Sequence, residues 1–252
     1  MNLSGNTILI TGGGTGIGRG LAEAFHALGN HVVIAGRRES ALQQVAVANL
    51  GMEYIVSDQS NAAGVQQLAE EVKLRFPKLN VLVNNAGMQR VEDLTTGLVG
   101  DSEETINTNL LGPIRLTAAL IKQLRAQPRA AIVNVSSALA MMPACIVPTY
   151  CATKAALHSY TQSLRQQLKQ TSIQVIEIIP PAVQTELHGE RGHNVGMPLK
   201  EYIVETMALL QKTPEATEVV VENAKRFRFA ASGDYDTLYK AVNDRLTALQ
   251  QR

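Results

Sequence analysis

The sequence predicts an α/β fold: a doubly wound, mostly parallel sheet of about seven strands with helices on both faces. Three observations carry this. Short β-branched runs alternate along the chain with longer helical stretches. The runs are nearly continuous in apolar residues, as expected of strands buried on both faces of a parallel sheet. The chain has 252 residues, 45% hydrophobic and 18% charged, which suits one large domain with a sizeable core.

Taken in order, Thr7–Ile10 reads as the first strand and Ile17–Leu28 as the first helix. Strands follow at His31–Ala35 and Glu53–Val56, then a helix at Ala62–Phe76 and a strand at Val81–Val83. A long helix is expected over Ser102–Leu124, a strand over Ala130–Val135, a second long helix over Tyr150–Lys169 and a strand over Gln174–Ile179. Repeated strand–helix–strand units imply right-handed crossovers. Pro180–Pro198 is irregular and contains Gly189, Gly192 and Gly196. A loop that long in a compact domain is usually functional, so a substrate lid is expected near 186–212. Tyr202–Leu210 reads as a helix, Val219–Val221 as a last strand or part of a helix, with the strand favoured, and Tyr235–Leu249 as a C-terminal helix. No linker splits the chain, and residues 1–252 read as a single domain.

The formal net charge is +1, and no basic run is interleaved with aromatics. Neither nucleic acid nor an acidic membrane surface is an expected partner. Cys145 and Cys151 are the two cysteines, and their spacing matches no zinc motif, so no metal site is expected. The first residues lack a charged and apolar leader, and no apolar stretch reaches membrane-spanning length. A cytoplasmic protein with reduced thiols is expected.

Thr11-Gly12-Gly13-Gly14-Thr15-Gly16-Ile17-Gly18 lies between the first strand and the first helix. Glycines let the backbone turn sharply and approach a ligand. A helix N-terminus offers free N–H groups and partial positive charge to a pyrophosphate. Gly12, Thr15, Gly16, Ile17 and Gly18 are therefore candidate dinucleotide contacts. At the end of the second strand, NAD sites place an acidic residue for the ribose 2′-hydroxyl. Here Gly36 takes that place and Arg37-Arg38 follows. Arg37 suits a 2′-phosphate, which favours NADP(H) over NAD(H). Arg38 reads equally well as a solvated loop residue.

Tyr150 and Lys154 stand four apart in a predicted helix and so share one face. An ammonium near a phenol is expected to lower its pKa. The phenol can then exchange a proton with a carbonyl or alcohol as general acid or base. Ser137, at the end of the strand Ala130–Val135, can hydrogen-bond the substrate oxygen. Neighbouring Ser136 competes for that role, and only one of the two should reach the site.

These residues resemble the short-chain dehydrogenase/reductase family over nearly the whole chain. Its cofactor turn matches Thr11-Gly12 through Gly16 and Gly18, and its Asn-Asn-Ala-Gly motif appears as Asn84-Asn85-Ala86-Gly87. The resemblance implies a Rossmann-like fold and a catalytic tetrad of Asn109, Ser137, Tyr150 and Lys154. In it, the Asn holds a water that relays protons and the Lys also binds the nicotinamide ribose. It further implies cofactor contacts from Asp58, Asn85, Ala86, Gly87, Tyr150, Lys154, Pro180, Val183 and Thr185. Asp58 also reads as a helix-start carboxylate before Ser60-Asn61. Pro181 departs from the family's usual Gly, which stiffens that turn and removes a donor. Pro180-Pro181-Ala182-Val183 and the segment from Tyr150 to Ser159 are similar to bacterial members named for the D-alanyl-lipoteichoic-acid gene cluster. That name implies no reaction.

Ala138 to Val147 is nearly all apolar with two methionines, so a carbonyl or alcohol substrate of apolar character is expected. Met88, Gln89 and the stretch from Leu187 to His193 can also reach it. Arg90, His188 or Arg191 could meet an anionic group. The family implies a homodimer or homotetramer paired through Ser102–Leu124 and Tyr150–Lys169. One alternative is an isomerase or dehydratase on the same scaffold; the other is a dinucleotide-sensing protein without chemistry. Such a protein has no need of Tyr150 or Lys154, and this chain has both.

Overall fold

The computed structural model describes residues 1–97, 99–189, 196–230, 233 and 235–250. Seven strands form one sheet: β1 (Thr7–Thr11), β2 (His31–Gly36), β3 (Glu53–Val56), β4 (Val81–Asn84), β5 (Ala130–Val135), β6 (Ile173–Ile178) and β7 (Glu218–Val219). Their order is β3-β2-β1-β4-β5-β6-β7, and every pairing is parallel. The chain winds outward from β1 in one direction and from β4 in the other. The carboxyl ends of β1 and β4 thus flank the point where the winding reverses, the usual place for a ligand in an open α/β sheet.

Alternation along each strand divides the core in two. Ile8 and Ile10 of β1, with Val32 and Ile34 of β2, enter one apolar layer. That layer is closed by α1 (Gly16–Ala27), α2 (Glu39–Ala48) and α7 (Leu199–Lys212). Leu9, Val33 and Leu82 point the other way. They pack under α3 (Ala62–Arg75), α5 (Gly112–Arg125) and α6 (Pro148–Leu168). Burial on both faces explains why the strands read as unbroken apolar runs.

The structure departs from these expectations in several places. Two helices were not anticipated, α2 and α8 (Glu222–Arg228). The helix expected over Ser102–Leu124 is three pieces: α4 (Gly100–Ile106), a π-helical turn (Asn107–Leu111) and α5. The last strand is Glu218–Val219, and Val221 instead caps α8. α6 begins two residues before Tyr150, at Pro148, whose missing N–H costs nothing in a first turn. The irregular segment after β6 is partly organised, by a 3₁₀ turn at Glu186–His188 and a parallel bridge between Val183 and Met197. The C-terminal helix α9 spans Tyr235–Gln250. Among the described residues, no helix is long and apolar enough to cross a membrane.

Candidate active site

The glycine turn joins β1 to α1. Gly12 and Gly16 hold φ of 67° and 54°, a region that disfavours side chains. Gly18 is constrained by space instead: a Cβ there would lie 2.2 Å from the Gly12 carbonyl oxygen. Thr15 occupies the N-cap of α1 but makes no side-chain capping bond, so the first N–H groups of the helix stay open to a ligand. The turn therefore fits a pyrophosphate.

Thr11 ties this turn to the end of β4. Its Oγ1 accepts from the N–H groups of Asn85 (3.1 Å) and Ala86 (3.0 Å). Asn85 Nδ2 donates back to the Thr11 carbonyl at 2.9 Å. Asn84 turns inward and donates to Asn134 (2.8 Å) and Thr117 (3.2 Å) in a buried polar chain. Gly87 brings the same loop against the catalytic candidates: a Cβ there would lie 3.4 Å from Asn109 Oδ1 and 3.6 Å from Lys154 Nζ.

Asn109 sits in the π-helical turn and is fully buried. Its amide bonds both backbone groups of Met88 and donates to Thr153 Oγ1 at 3.2 Å. Lys154, buried on α6, donates from Nζ to the Val135 carbonyl at 2.8 Å, at the end of β5. Its ammonium lies 5.6 Å from the centre of the Tyr150 ring. Burial pushes the Lys154 pKa down to about 8, while Glu177 pulls it up.

Tyr150 is buried among Ala144, Val147 and Cys151, with Leu187 of the segment after β6 packed against them. Burial drives its pKa up to about 12, and a polar contact with the Ser137 hydroxyl pulls it the other way. The expected lowering of the phenol pKa by Lys154 is thus corrected. Desolvation of the phenolate in this buried setting dominates. The two serines separate as alternation requires. Ser136 Oγ donates to Glu177 at 2.5 Å, whereas Ser137 faces Tyr150 and accepts from the Leu139 N–H at 3.1 Å.

Beyond the end of β2, Arg37 pairs with Glu104 at 3.1 Å. Arg38 reaches Thr15 Oγ1 (3.1 Å) and Glu186 (2.8 Å). The sequence favours Arg37 for the cofactor, yet Arg38 is the arginine that bonds Thr15 at the glycine turn. Its partner Glu186 is 148 positions away, which no local signal reveals. Both Asp58 oxygens are engaged by Ser60, and Asn61 caps α3, so Asp58 shapes the turn after β3. Thr185 stands over the turn, with Cγ2 3.3 Å from a Cβ built at Gly16. Val183 is buried, and the Pro180 carbonyl accepts from Ala138 N–H at 2.8 Å. Ile17 is partly buried against the core.

The apolar segment after Ser137 divides. Met142 is fully buried and packs inside. Leu139, Ala140, Pro143, Ala144 and Cys145 line an open groove of about 330 Å³ with Tyr239 of α9. Neither Ser137 nor Tyr150 lines it, so this groove is not where proton exchange would take place. Arg191 and His193 lie outside the described residues.

A glycine turn at the switch point of a doubly wound sheet, with Ser, Tyr and Lys gathered at the same edge, defines a dinucleotide-binding α/β protein. The profile of the short chain dehydrogenase family matches residues 6–196, and the chain is an oxidoreductase of that family. The oxidoreductase DltE of Bacillus subtilis is 38% identical over 251 residues, covering 96% of this chain and 98% of the relative. A shorter match, to an oxidoreductase of Staphylococcus saprophyticus, is 31% identical over 75% of this chain and 83% of the relative. Among solved structures, a short chain dehydrogenase of Burkholderia cenocepacia in complex with NADP superposes with a TM-score of 0.83 at 24% identity, covering 96% of this chain and 99% of that one. One from Sphingobium yanoikuyae in complex with NADPH gives 0.79 at 26% identity, over 92% and 94%. One from Burkholderia phymatum in complex with NAD gives 0.80 at 22%, over 91% and 94%.

Proposed function

We propose that this protein is an NADP(H)-dependent oxidoreductase acting on a carbonyl or alcohol substrate of apolar character, with Tyr150 as general acid and base. The observation that carries the reading is the Tyr150 phenol, buried in contact with Ser137 and with its ring centre 5.6 Å from Lys154 Nζ, one loop away from the glycine turn. When bound, the nicotinamide supplies or accepts the hydride. The turn and the open N-terminus of α1 hold the pyrophosphate, while Asn85, Ala86, Gly87, Val183 and Thr185 contact the rest of the cofactor. Arg37 and Arg38 supply positive charge for a 2′-phosphate where Gly36 supplies no carboxylate.

Ser137 orients the substrate oxygen and Tyr150 donates its proton during reduction. A phenol with a pKa near 12 is protonated throughout the neutral range and so stands ready as the acid. Lys154 offsets negative charge as it develops on the phenol oxygen. Asn109 shapes the loop after β4 that carries Gly87. The residues form one domain working in the cytoplasm as a homodimer or homotetramer.

Incubating the protein with NADPH or NADH and a panel of aldehydes and ketones, and following cofactor absorbance, tests this. NADPH-linked turnover that disappears in Tyr150→Phe is the expected result. Cofactor binding without turnover on any substrate would instead favour a dinucleotide sensor. Tighter binding of NADH than NADPH would remove the role given to the arginines.

A further inference from the structure

Behind the site lies a carboxylate that the reaction outlined above does not use. Glu177 of β6 is fully buried, with no exposure of its side chain. Ser136 Oγ donates to its Oε1 at 2.5 Å, and His158 Nδ1 lies 2.9 Å from Oε1 and 2.8 Å from Oε2. An ionised carboxylate is costly to bury unless its surroundings answer it. Two hydrogen-bonding partners hold this one, but neither is a permanent cation.

The helix above explains its place. Tyr150, Lys154 and His158 follow one another at four-residue steps and form one stripe of α6. Lys154 reaches down to the carbonyl of Val135 on β5. One turn later, His158 reaches down to Glu177 on β6. Val135 is followed directly by Ser136, the other holder of the carboxylate. The ammonium and the carboxylate are therefore seated on neighbouring strands under adjacent turns of one helix.

We propose that Glu177 acts through Lys154: its buried carboxylate, held by Ser136 and His158 beneath the next turn of α6, keeps the Lys154 amine charged. The inference rests on the reading of Lys154 as part of the catalytic machinery.

The other groups around Glu177 leave this role open to it. Glu218 of β7 is its register partner, but Arg228 of α8 binds both Glu218 oxygens, at 2.8 and 3.0 Å. Arg165 of α6 donates to the carbonyls of Val175 and Thr217, and its charge acts on Glu218. Arg228 also feels the Glu177 charge, from beyond Glu218. His158, Glu177 and Glu218 bring possible ligand atoms within 4.8 Å of one another. A cation placed among them would have to displace the Arg228 guanidinium, so the cluster reads as a charge network. Within it, Glu177 is the carboxylate whose charge acts on Lys154.

Protein carrying ε-¹³C-lysine, titrated by NMR, tests this without reference to turnover. The Lys154 signal is identified by its loss in Lys154→Met. In Glu177→Gln, which keeps the shape and removes the charge, the Lys154 midpoint should fall by about one pH unit. Coincident midpoints in the two proteins would overturn the proposal. Should that variant not fold, Glu177→Asp, which withdraws the carboxylate by one methylene, should lower the midpoint by a smaller amount, and an unmoved midpoint overturns it equally. Where carbonyl reduction is measured, the alkaline limb of kcat/KM should move down together with the midpoint. A limb that stays while the midpoint moves would deny Glu177 any part in the reaction. The oxidoreductase reading fails on a separate observation, namely no turnover by the unmodified protein with either cofactor.

Discussion

Asn109 clasps Met88 at two points: Oδ1 accepts the Met88 N–H and Nδ2 donates to the Met88 carbonyl, both at 2.8 Å. A side-chain amide thus does for the loop after β4 what a neighbouring strand does inside the sheet. Met88 is itself buried, so no water replaces these bonds. Asn109→Ala should cost about 1–3 kcal/mol for each backbone group left unpaired. Urea melts check this, and an unchanged midpoint would show that the loop closes without the clasp. Asn109→Asp should be no better, because it sets a carboxylate oxygen against the Met88 carbonyl.

Tyr150→Phe removes the acid but leaves the apolar packing around the ring in place. Carbonyl reduction should fall by about 10²–10⁴. NADPH binding, followed by fluorescence, should persist. Loss of binding along with turnover would mean that the hydroxyl serves the cofactor rather than the proton.

Lys154 links stability to pH with a definite sign. Its folded-state pKa is lowered from 10.5 to about 8. Below the folded value the ammonium is charged in both states, and the native state carries the full cost of burying it. Between the folded and unfolded values the unfolded chain binds the proton and the native state does not, so stability rises with pH. Lys154→Met has no such dependence. The stability of the unmodified protein relative to Lys154→Met should therefore improve as pH rises from about 8 to 10.5 and be flat below. Urea melts of both proteins across that range test it, and a parallel pair of curves would contradict the shift.

Gly18→Ala places a methyl 2.2 Å from the Gly12 carbonyl oxygen and 2.4 Å from Asn85 Nδ2. The first is backbone and cannot yield alone, so α1 must move away from the turn. Overpacking of this kind costs roughly 1–3 kcal/mol. Cofactor affinity should drop by more than the loss of stability alone explains. Isothermal titration alongside urea melts separates the two effects.

Arg37 and Arg38 sit in exposed ion pairs with Glu104 and Glu186. Such pairs contribute only about 0–1 kcal/mol, so alanine at either position should leave stability nearly unchanged. If both arginines meet a 2′-phosphate, each variant should weaken NADPH binding by about tenfold, or about 1.4 kcal/mol, and spare NADH. Equal weakening of both cofactors would assign the arginines to the shared part of the dinucleotide.

Much of this was legible from residue order, because the informative patterns are local. The β-branched runs of Ile8 to Ile10 and Val32 to Ile34 identify buried strands, and the Gly12–Gly18 turn follows the first of them. The helical register of Tyr150 and Lys154 is equally local. What escaped depends on distant or weak signals. α2 buries only Leu42 and Val45, and α8 only Ala224, so neither shows a strong apolar stripe. The Arg38–Glu186 and Glu177–His158 pairs exist only because of the sheet order and the path of the chain after β6. The Tyr150 pKa is set by burial, which residue order does not display.

The π-helical turn at Asn107–Leu111 carries a consequence for how the chain tolerates change in length. Its wider hydrogen-bonded ring stores one residue more than an α-helical turn would use. That surplus acts as a phase shifter. It lets α5 set Leu116, Leu120 and Leu124 against the sheet while Asn109, just upstream, still faces the Met88 loop. Deleting a single residue there would leave an uninterrupted helix whose two halves could no longer both be in register. The core or the clasp would have to give way. Insertions and deletions should therefore be better accepted in the exposed loops at either end of this helical rod than at its middle.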